Sequence, residues 1–421
     1  MPDAGGTTAA QRGSGRDTTI DGRGAWIAAC AAIAVLSISY GSPLLIVVGL
    51  KPITAGLGTI REVTSLAAAL TWVGTGLGGI LMGWLSDRIG VKRVVIFGAV
   101  MIAIGLAFSA IGTVWALYMG HGMLLGLLGN GAMFPPLLVY VSRWFEKRRG
   151  TALALIASGQ YVAGMIWPTV FEHAMARYGW QATMIGYGIV TLALIPPLAL
   201  LLHPAPAHPH MAGMPGVNRL RGKTLGLPAN LVLIMLGAAG FCCCVPMALP
   251  QSHLVAFCSD IGIPSSTGAA MLSLMTACAF VSRQFWGWLA DRVGGLITLI
   301  FGSACQALAI GGFLLTQNEA GLFAVSAAFG LGFSGIVPAY VLIVRELFPA
   351  TEASWRVPVV LFISMSGMAF GSWFAGALYD HFGFYAPAFG TGVLFNLANL
   401  TIIGFLLMRQ GIKGGMRPAI A

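Results

Sequence analysis

The sequence predicts an all-α polytopic membrane protein with twelve transmembrane helices arranged as two six-helix pseudo-repeats. Of its 421 residues, 57% are hydrophobic and only 9% are charged, and the mean hydropathy is +0.85. A soluble domain carries about 25% charged residues. Twelve apolar segments, each near the ~20 residues that cross a bilayer, follow one another along the chain. A repeated motif at one fixed spacing divides them into two halves.

The segments are separated by short polar stretches with a strong charge asymmetry. Among the 23 Lys and Arg residues, only Lys51, Arg61 and Arg177 fall on one side of the alternating segments, and Arg283 lies inside one. The others share the opposite side, which predicts cytoplasmic termini in the plasma (inner) membrane. The approximate segment centres are Val35, Thr75, Ile104, Ala132, Tyr161, Leu192, Ala239, Thr276, Gln306, Gly332, Gly367 and Asn396.

Five regions follow from this pattern. Residues 1–23 lack an apolar signal-peptide core and are expected to form a disordered cytosolic tail. Residues 24–203 form the first six-helix bundle and residues 229–408 the second. Residues 204–228, rich in Pro, His and Gly and then basic, are the expected cytosolic linker, and residues 409–421 are a second cytosolic tail.

An internal repeat supports the two halves. The octapeptide GWLSDRIG at 83–90 recurs as GWLADRVG at 287–294, and Tyr178-Gly179-Trp180 recurs as Phe382-Gly383-Phe384 at the same spacing of 204 residues (83 to 287, 178 to 382). Such spacing indicates a duplication. Parallel halves of this kind place a substrate path between them, near the midplane.

Several classes of protein are disfavoured. The seven cysteines show no CxxC or His-paired spacing, so we expect no metal site and no disulfide framework. The run at 216–224 has one residue too many for a nucleotide-binding loop and no preceding strand, and no cofactor is expected. The sequence shows no Ser/His/Asp grouping, so it does not predict an enzyme. It also shows no basic patch interleaved with aromatics, so it does not predict nucleic-acid binding.

Arg283 is the most informative residue, because it lies within an apolar helix, about two turns before its polar end. A cation in the hydrocarbon zone costs from about 3 to more than 10 kcal/mol. If Arg283 had a purely structural role, an acid on another helix would neutralise it. The acidic residues, however, fall at loops and helix ends. A transient anionic partner is therefore favoured, since a guanidinium pairs bidentately with a carboxylate.

The stretch GWLSDRIGVKR at 83–93 resembles the loop between helices two and three of the major facilitator superfamily, and the resemblance extends from Trp26 to Met408. It implies that Asp87 and Asp291 tether these loops to the opposite half and favour one access state, although a short solvated turn would have the same sequence. The residues that match this gating motif are Gly83, Asp87, Arg88, Gly90, Arg93, Gly287, Asp291 and Arg292.

Two further stretches resemble monocarboxylate transporters and the bacterial oxalate/formate antiporter: residues 143–154 and residues 280–287. The stretch at 280–287 is similar to their helix eight, whose arginine binds the substrate carboxylate, and this implies the same role for Arg283. Ser364 occupies the place of the antiporter's helix-eleven lysine. Ala279 occupies the place of an aspartate in the mammalian transporters, and residues 37–43 lack their acidic helix-one signature.

Polar residues at helix centres are candidates for completing the site, although each is equally explained as an interhelical hydrogen bond. Because one cation balances one charge, the absence of a second cation favours a monocarboxylate over a dicarboxylate. His253 and Asp260, near the outer end of helix seven, are candidates for carrying a coupled proton, unless they simply form a wetted helix end. The candidate substrate-binding residues beside Arg283 are Tyr40, Asn130, Gln160, Tyr161, Tyr340 and Ser364.

The sequence therefore predicts a secondary transporter of small organic anions that works by proton symport or anion exchange, with the lipid bilayer as its surroundings. A drug or sugar exporter on the same fold is the first rival, although such exporters typically place acids or several amides in the helix centres. A transporter-like anion sensor is a further rival, although the linker is too short for a sizeable cytosolic domain.

Overall fold

The computed structural model describes residues 20–145, 149–203 and 223–413, and within them the chain is almost entirely helical. The expected N-terminal tail up to residue 19, most of the expected linker (204–222) and residues 414–421 lie outside the described residues. Residues 146–148 of the stretch entering helix five lie outside them as well.

The two halves contain the following elements. The N-terminal half comprises α1 (Arg23–Ser39), α2 (Gly41–Val48), α3 (Leu50–Gly56), α4 (Arg61–Ile89), α5 (Val91–Ser109), α6 (Val114–Tyr118), a π-helix (Met119–Gly129), a 3-10 turn (Asn130–Ala132), α7 (Phe134–Ser142), α8 (Arg149–Ala157) and α9 (Gly159–Leu200). The C-terminal half comprises β1 (Lys223–Thr224), β2 (Leu227–Pro228), α10 (Ala229–Asp260), α11 (Ser265–Val293), α12 (Gly295–Leu315), α13 (Glu319–Phe333), α14 (Ile336–Leu347), α15 (Ala350–Phe382) and α16 (Ala386–Lys413).

Within the described residues, eleven helical stretches are long and apolar enough to cross a membrane. The count differs from twelve because the fifth and sixth predicted segments share one stretch, Leu155–Leu200. Gly179 divides it, because its backbone (φ 79°, ψ 164°) is not helical. The predicted centres Tyr161 and Leu192 lie on either side of this glycine, so both predicted segments are present.

The backbone repeats the duplication that the sequence predicts. Gly90 and Gly294 end α4 and α11 with φ of 89° and 83°, values that only glycine adopts at little cost. Beside them, Arg88 lies 3.9 Å from the ring centroid of Trp84, and Arg292 lies 4.3 Å from that of Trp288. Two further glycine pairs at the same spacing have positive φ in both halves: Gly58 with Gly262 and Gly179 with Gly383.

One main cluster of buried residues lies in each half, and the halves meet chiefly along two helix pairs. In the first pair, α4 approaches α15 so closely that a Cβ on Gly376 would lie 2.3 Å from Ser65 Oγ. In the second, α9 approaches α11, and a Cβ on Gly164 would lie 2.5 Å from Thr276 Cγ2. These small residues permit close backbone approach. We call the bundle end that carries Arg61 the outer end and the end that carries Asp87 the cytoplasmic end, after the predicted orientation.

Candidate functional site

A cavity of about 80 Å³ lies between the two halves. One wall is apolar and includes Pro43, Leu44, Val47 and Trp72. A single buried water needs only about 10–15 Å³, so the cavity has room for several waters or a small molecule. The polar residues of its wall come from both halves: Tyr40, Thr71, Thr75, Asn130, Gln160 and Tyr161 from the first, and Gln251, Ser252 and Thr276 from the second.

Local breaks in the helices bring these polar groups to the cavity. The first span is interrupted at Tyr40, just before Pro43, and two carbonyls next to this break accept hydrogen bonds from Trp167 Nε1 (to Ser37, 2.8 Å) and Tyr187 Oη (to Ile38, 2.5 Å). In α10, Pro250 removes a backbone donor just before Gln251 and Ser252, and Pro246 removes another about one turn earlier. Interrupted helices are the usual way in which polar groups reach the middle of a membrane bundle.

Asn130 is placed by the π-helix. This segment is rich in glycine and packs so tightly on α4 that a Cβ on Gly78 would lie 1.9 Å from the Leu127 carbonyl oxygen. Asn130 follows at the change from π to 3-10 geometry, is fully buried and lines the cavity. Neither Nδ2 nor Oδ1 of Asn130 has a hydrogen-bond partner among the described residues. Buried amides are rarely left in this state, so a ligand or water in the cavity would find both a donor and an acceptor.

Arg283 lies beside the cavity, toward the cytoplasmic end. Its Nη1 donates to the carbonyl oxygen of Ala157 across the interface at 3.3 Å, and its Cζ lies 5.3 Å from the ring centroid of Tyr161. Tyr161 itself lines the cavity. Within the described parts of the chain, Arg283 forms no ion pair with a carboxylate. Because a guanidinium has five N–H donors, most of its capacity stays available for an anion.

Two sequence candidates lie elsewhere. Tyr340 is buried in the C-terminal bundle, where its hydroxyl donates to Asn399 Oδ1 at 2.8 Å and Asn399 donates to Ser303 at 2.9 Å. Ser364 is also buried and donates to the Val360 carbonyl of its own helix at 2.9 Å. Neither is among the described residues that line the cavity. The structure thus brings Tyr40, Asn130, Gln160 and Tyr161 together, with Arg283 next to them, and leaves Tyr340 and Ser364 in internal packing.

Asp260 forms an ion-pair cluster that closes the outer end. Arg61 Nη2 lies 2.8 Å from Asp260 Oδ1, and Arg61 Nη1 is bonded to Oδ2. Lys51 Nζ lies 3.0 Å from Asp260 Oδ1. Arg61 is buried, and the two cations belong to the N-terminal half whereas the carboxylate belongs to the C-terminal half. We call Lys51, Arg61 and Asp260 the outer latch, since opening the outer end must separate them.

Asp380 adds a second contact across the same end. Its carboxylate accepts from the backbone N–H groups of Arg61 (3.2 Å) and Glu62 (2.6 Å), the first residues of α4. The preceding residue, Ile60, provides no side-chain cap. Asp380 therefore caps a helix of the opposite half, and its charge is favourable at the positive end of the helix dipole.

His253 is connected to the latch through Tyr385. Its Nε2 lies 2.8 Å from the Ser372 carbonyl oxygen and its Nδ1 lies 3.0 Å from Tyr385 Oη, while Arg61 Nη1 donates to the same Oη at 2.9 Å. Burial raises the pKa of the Tyr385 phenol, and the Arg61 guanidinium lowers it only in part. The phenol is therefore neutral at physiological pH and retains its O–H donor.

The gating-motif residues lie at the exposed cytoplasmic end. Asp87 pairs with Arg143 of its own half at 2.7 Å, with side chains 62% and 49% exposed. Of the ion pairs between described residues, those that join the two halves lie at the outer end. Between described residues, Asp87 forms no ion pair with the opposite half in this conformation, and the expected tether stays a prediction for the outward-open one.

The sequence pattern did not identify the roles of Lys51, Arg61, Asp380 and Tyr385, or the contribution of Gln251 and Ser252 to the cavity. One signal was present. Lys51 and Arg61 are two of the three cations on the predicted outer side, and Asp260 and Asp380 lie near the ends of segments that finish on that side. Opposite charges at one end of two halves indicate a pairing, although not which residues pair.

The fold and the site define a membrane transport protein built from two six-helix halves. The family model described as Major Facilitator Superfamily matches residues 25–319, so the chain belongs to this superfamily. Among its relatives, "Monocarboxylate transporter 13" of Bos taurus is 25% identical over 82% of this chain and 79% of that protein. "Agnestins efflux protein AgnL12" of Paecilomyces divaricatus is 24% identical over 80% and 75%.

Solved structures give the same fold. A crystal structure of the peptide transporter POT in complex with sulfate superposes with a TM-score of 0.70, at 16% sequence identity, and covers 92% of this chain and 95% of that one. The predicted membership of the superfamily and the predicted all-helical, multi-pass fold are both confirmed.

Proposed function

We propose that this protein carries small monocarboxylates across the membrane by alternating access, and that Arg283 binds the carboxylate. The observation that supports this most directly is the Arg283 guanidinium next to the cavity residue Tyr161: it has a carbonyl and this aromatic ring as neighbours but no carboxylate among the described residues. A substrate carboxylate would supply the missing counter-charge and accept two parallel N–H bonds. Tyr161, between Arg283 and the cavity, would contact both.

The remaining cavity groups fit the rest of a small acid. Thr71, Thr75 and Thr276 donate their hydroxyl hydrogens to carbonyls of their own helices, so their oxygens face a ligand only as acceptors. Asn130 offers a donor and an acceptor, and both are unpaired among the described residues. The apolar wall at Leu44 and Trp72 suits a short carbon chain.

The charge balance favours a monoanion. The described lining of the cavity contains no Lys or Arg, so Arg283, which contacts the lining residue Tyr161, is the nearby cation that the proposal uses. Ser364, in place of a second cation, is bonded to its own helix. A dianion would leave one charge unpaired in a low-dielectric site, at a cost of several kcal/mol.

For coupling, we propose proton symport through Asp260, with anion exchange as the rival mode. Protonating Asp260 removes the counter-charge of both Lys51 and Arg61 and weakens the outer latch, which would link proton uptake to opening at the outer side. A carboxylate and a proton together form an electroneutral load. From the charge asymmetry, we propose that the protein lies in the plasma (inner) membrane with both termini in the cytoplasm. We also assign Asp87 and Asp291 to the cytoplasmic gate.

The test is uptake of labelled lactate, pyruvate, formate, oxalate and benzoate into proteoliposomes at two outside pH values. Wild type is compared with Arg283→Ala, and Arg409→Ala is the matched control, because this arginine is also half-buried but stacks on Phe405 away from the cavity. We expect a monocarboxylate to enter faster at low outside pH and Arg283→Ala to abolish its uptake. Uptake that survives Arg283→Ala would make the arginine structural.

The rival function is export of an uncharged drug-like or sugar-like compound. It is favoured by the apolar wall of the cavity and by the fungal relative whose name describes an efflux protein. It predicts that the acids of the panel fail to compete with one another for transport and that Arg283→Ala leaves export intact.

A further inference from the structure

We propose that Tyr385 is the positioning residue through which protonation of His253 opens the outer end. The inference rests on the proposed transport cycle, because it describes how that cycle responds to outside pH. Tyr385 lies in the short connection between α15 and α16, and its single hydroxyl touches the latch cation Arg61 of one half and His253 of the other. Both nitrogens lie within 3.0 Å of the same oxygen atom.

The hydrogen-bond partners assign the direction of each bond. The Ser372 carbonyl can only accept, so Nε2 of His253 carries its hydrogen. In a neutral imidazole the other nitrogen is then an acceptor, and the Tyr385 hydroxyl donates to Nδ1. The Tyr385 oxygen in turn accepts from Arg61 Nη1. The closed outer end therefore contains one directional chain, from Arg61 to Tyr385 to His253 to Ser372.

A proton from outside water that binds Nδ1 of His253 reverses part of this chain. Nδ1 becomes a donor, so Tyr385 can no longer donate to it and must turn its O–H elsewhere. The Tyr385 oxygen then faces two cations, the imidazolium and the Arg61 guanidinium, which repel each other. Separating the halves relieves this repulsion, because Arg61 leaves with the N-terminal half and His253 stays with the C-terminal half. Acid outside therefore favours the outward-open state.

Other charged and titratable groups surround the Tyr385–His253 pair and influence the protonation of His253. Arg61 Cζ lies 3.7 Å from the ring centroid of Tyr379, and the Tyr379 ring packs against Tyr385 at a tilt of 39° with centroids 4.7 Å apart. Histidine is the side chain whose unperturbed titration falls in the range of outside pH. Asp260 is a second proton acceptor at the same end, so the experiment must distinguish protonation of His253 from protonation of Asp260. The charged or titratable groups around the Tyr385–His253 pair are Arg61 from α4, Lys51 from α3, Asp260 from α10, and Tyr379 and Asp380 from α15.

The test measures the opening itself. Spin labels are attached at Ile111 and Leu315, two exposed positions (61% and 88%) at the outer end of opposite halves, in a background without native cysteines. Pulsed electron paramagnetic resonance then gives the fraction of molecules with the longer, outward-open distance between about pH 8 and pH 5. One linked proton changes the ratio of open to closed molecules by up to about tenfold per pH unit.

We expect His253→Gln and Tyr385→Phe each to flatten this pH response, and Asp260→Asn to retain the part that depends on His253. Tyr379→Phe is the matched control: its ring keeps the contact with Arg61, and among the described residues Tyr379 forms no bond to His253, so this variant should keep the response. A Tyr385→Phe protein that shifts the open fraction equally at every pH would show a merely structural role and overturn the proposal. An unchanged response in His253→Gln would overturn the proposal too. If only one of these two variants folds, its pH response still decides the proposal.

Arg283→Ala separates this proposal from the proposed function. It should abolish uptake while leaving the pH-dependent distance unchanged, because Arg283 lies toward the other end of α11. Uptake without Arg283 would count against the proposed substrate site alone. A pH response that is present in wild type and unchanged in His253→Gln would count against the Tyr385 proposal alone.

Discussion

Arg61 of the N-terminal half and Asp260 of the C-terminal half form a two-bond ion pair that closes the outer end of the protein, with Nη2 2.8 Å from Oδ1 and Nη1 bonded to Oδ2. Both side chains are largely shielded from solvent, at 10% and 17% exposure. In such a shielded environment, removing one partner leaves the other charge uncompensated and is strongly destabilising. The halves can therefore separate at this end only when the pair is broken or neutralised.

Neutralising Asp260 should favour the outward-open state. Asp260→Asn leaves Lys51 and Arg61 without a counter-charge, and we expect the outer-closed state to lose about 3 kcal/mol. The distance between labels at Ile111 and Leu315 should lengthen in more molecules than in wild type at every pH, and uptake should lose the part of its dependence on outside pH that Asp260 carries. Glu319→Gln, which neutralises an exposed acid at the same end, is the control. An unchanged distance in Asp260→Asn would mean that the latch does not hold the closed state.

Removing the helix cap at Asp380 should have a smaller effect in the same direction. Asp380→Ala leaves two N–H groups of α4 without their partner, and loss of such a cap costs about 0.5–2 kcal/mol. The open fraction should rise by about 2- to 30-fold with little change in its pH dependence, since the backbone groups do not titrate. His381→Ala changes the next, exposed residue and should leave the distance distribution as it is in wild type.

Replacing Asn130 should raise stability and lower transport. Its amide is buried and unpaired among the described residues, so Asn130→Leu removes an unsatisfied group and should stabilise the protein by about 1–3 kcal/mol, measured as a higher midpoint of thermal unfolding in detergent. Uptake should fall at least tenfold if this amide binds substrate.

Asn396 offers a matched control for that experiment. It is also buried with both amide atoms unpaired among the described residues, but it does not line the cavity. Asn396→Leu should stabilise the protein without the loss of uptake. Equal losses in both variants would indicate a general effect on the bundle rather than a substrate contact.

The geometry of the Arg283 contact can be separated from its charge. Arg283→Lys keeps the positive charge but loses the planar pair of N–H donors. Because a hydrogen bond to a charged group contributes about 1.5–3 kcal/mol, we expect KM for the carboxylate to rise about 10- to 100-fold while some uptake remains. Arg283→Ala should show no uptake. Equal activity of wild type and Arg283→Lys would argue for a point-charge role without bidentate binding.

Much of the candidate site could be predicted, and the failures share a cause. Arg283 stands out because a cation in an apolar helix is costly wherever the helix packs. Tyr40, Asn130, Gln160 and Tyr161 are polar residues at helix centres, and the structure places all four on the cavity. Tyr340 and Ser364 have the same sequence signature, yet they are bonded inside the C-terminal bundle. Position along a helix is visible in the sequence, whereas the direction in which a side chain points depends on how the helices rotate against each other.

The sequence by itself determined the class of fold, the number of predicted spans and the duplication, because the length of an apolar run is dictated by the thickness of the bilayer and the motif at 83–90 returns at 287–294. Only the tertiary structure decided that Arg61 meets Asp260, that Asp380 caps the opposite half and that one hydroxyl of Tyr385 joins Arg61 to His253. These contacts join residues about 130 to 320 positions apart. The halves bring them together through packing of small residues such as Gly376 and Gly164, and no local pattern records that packing.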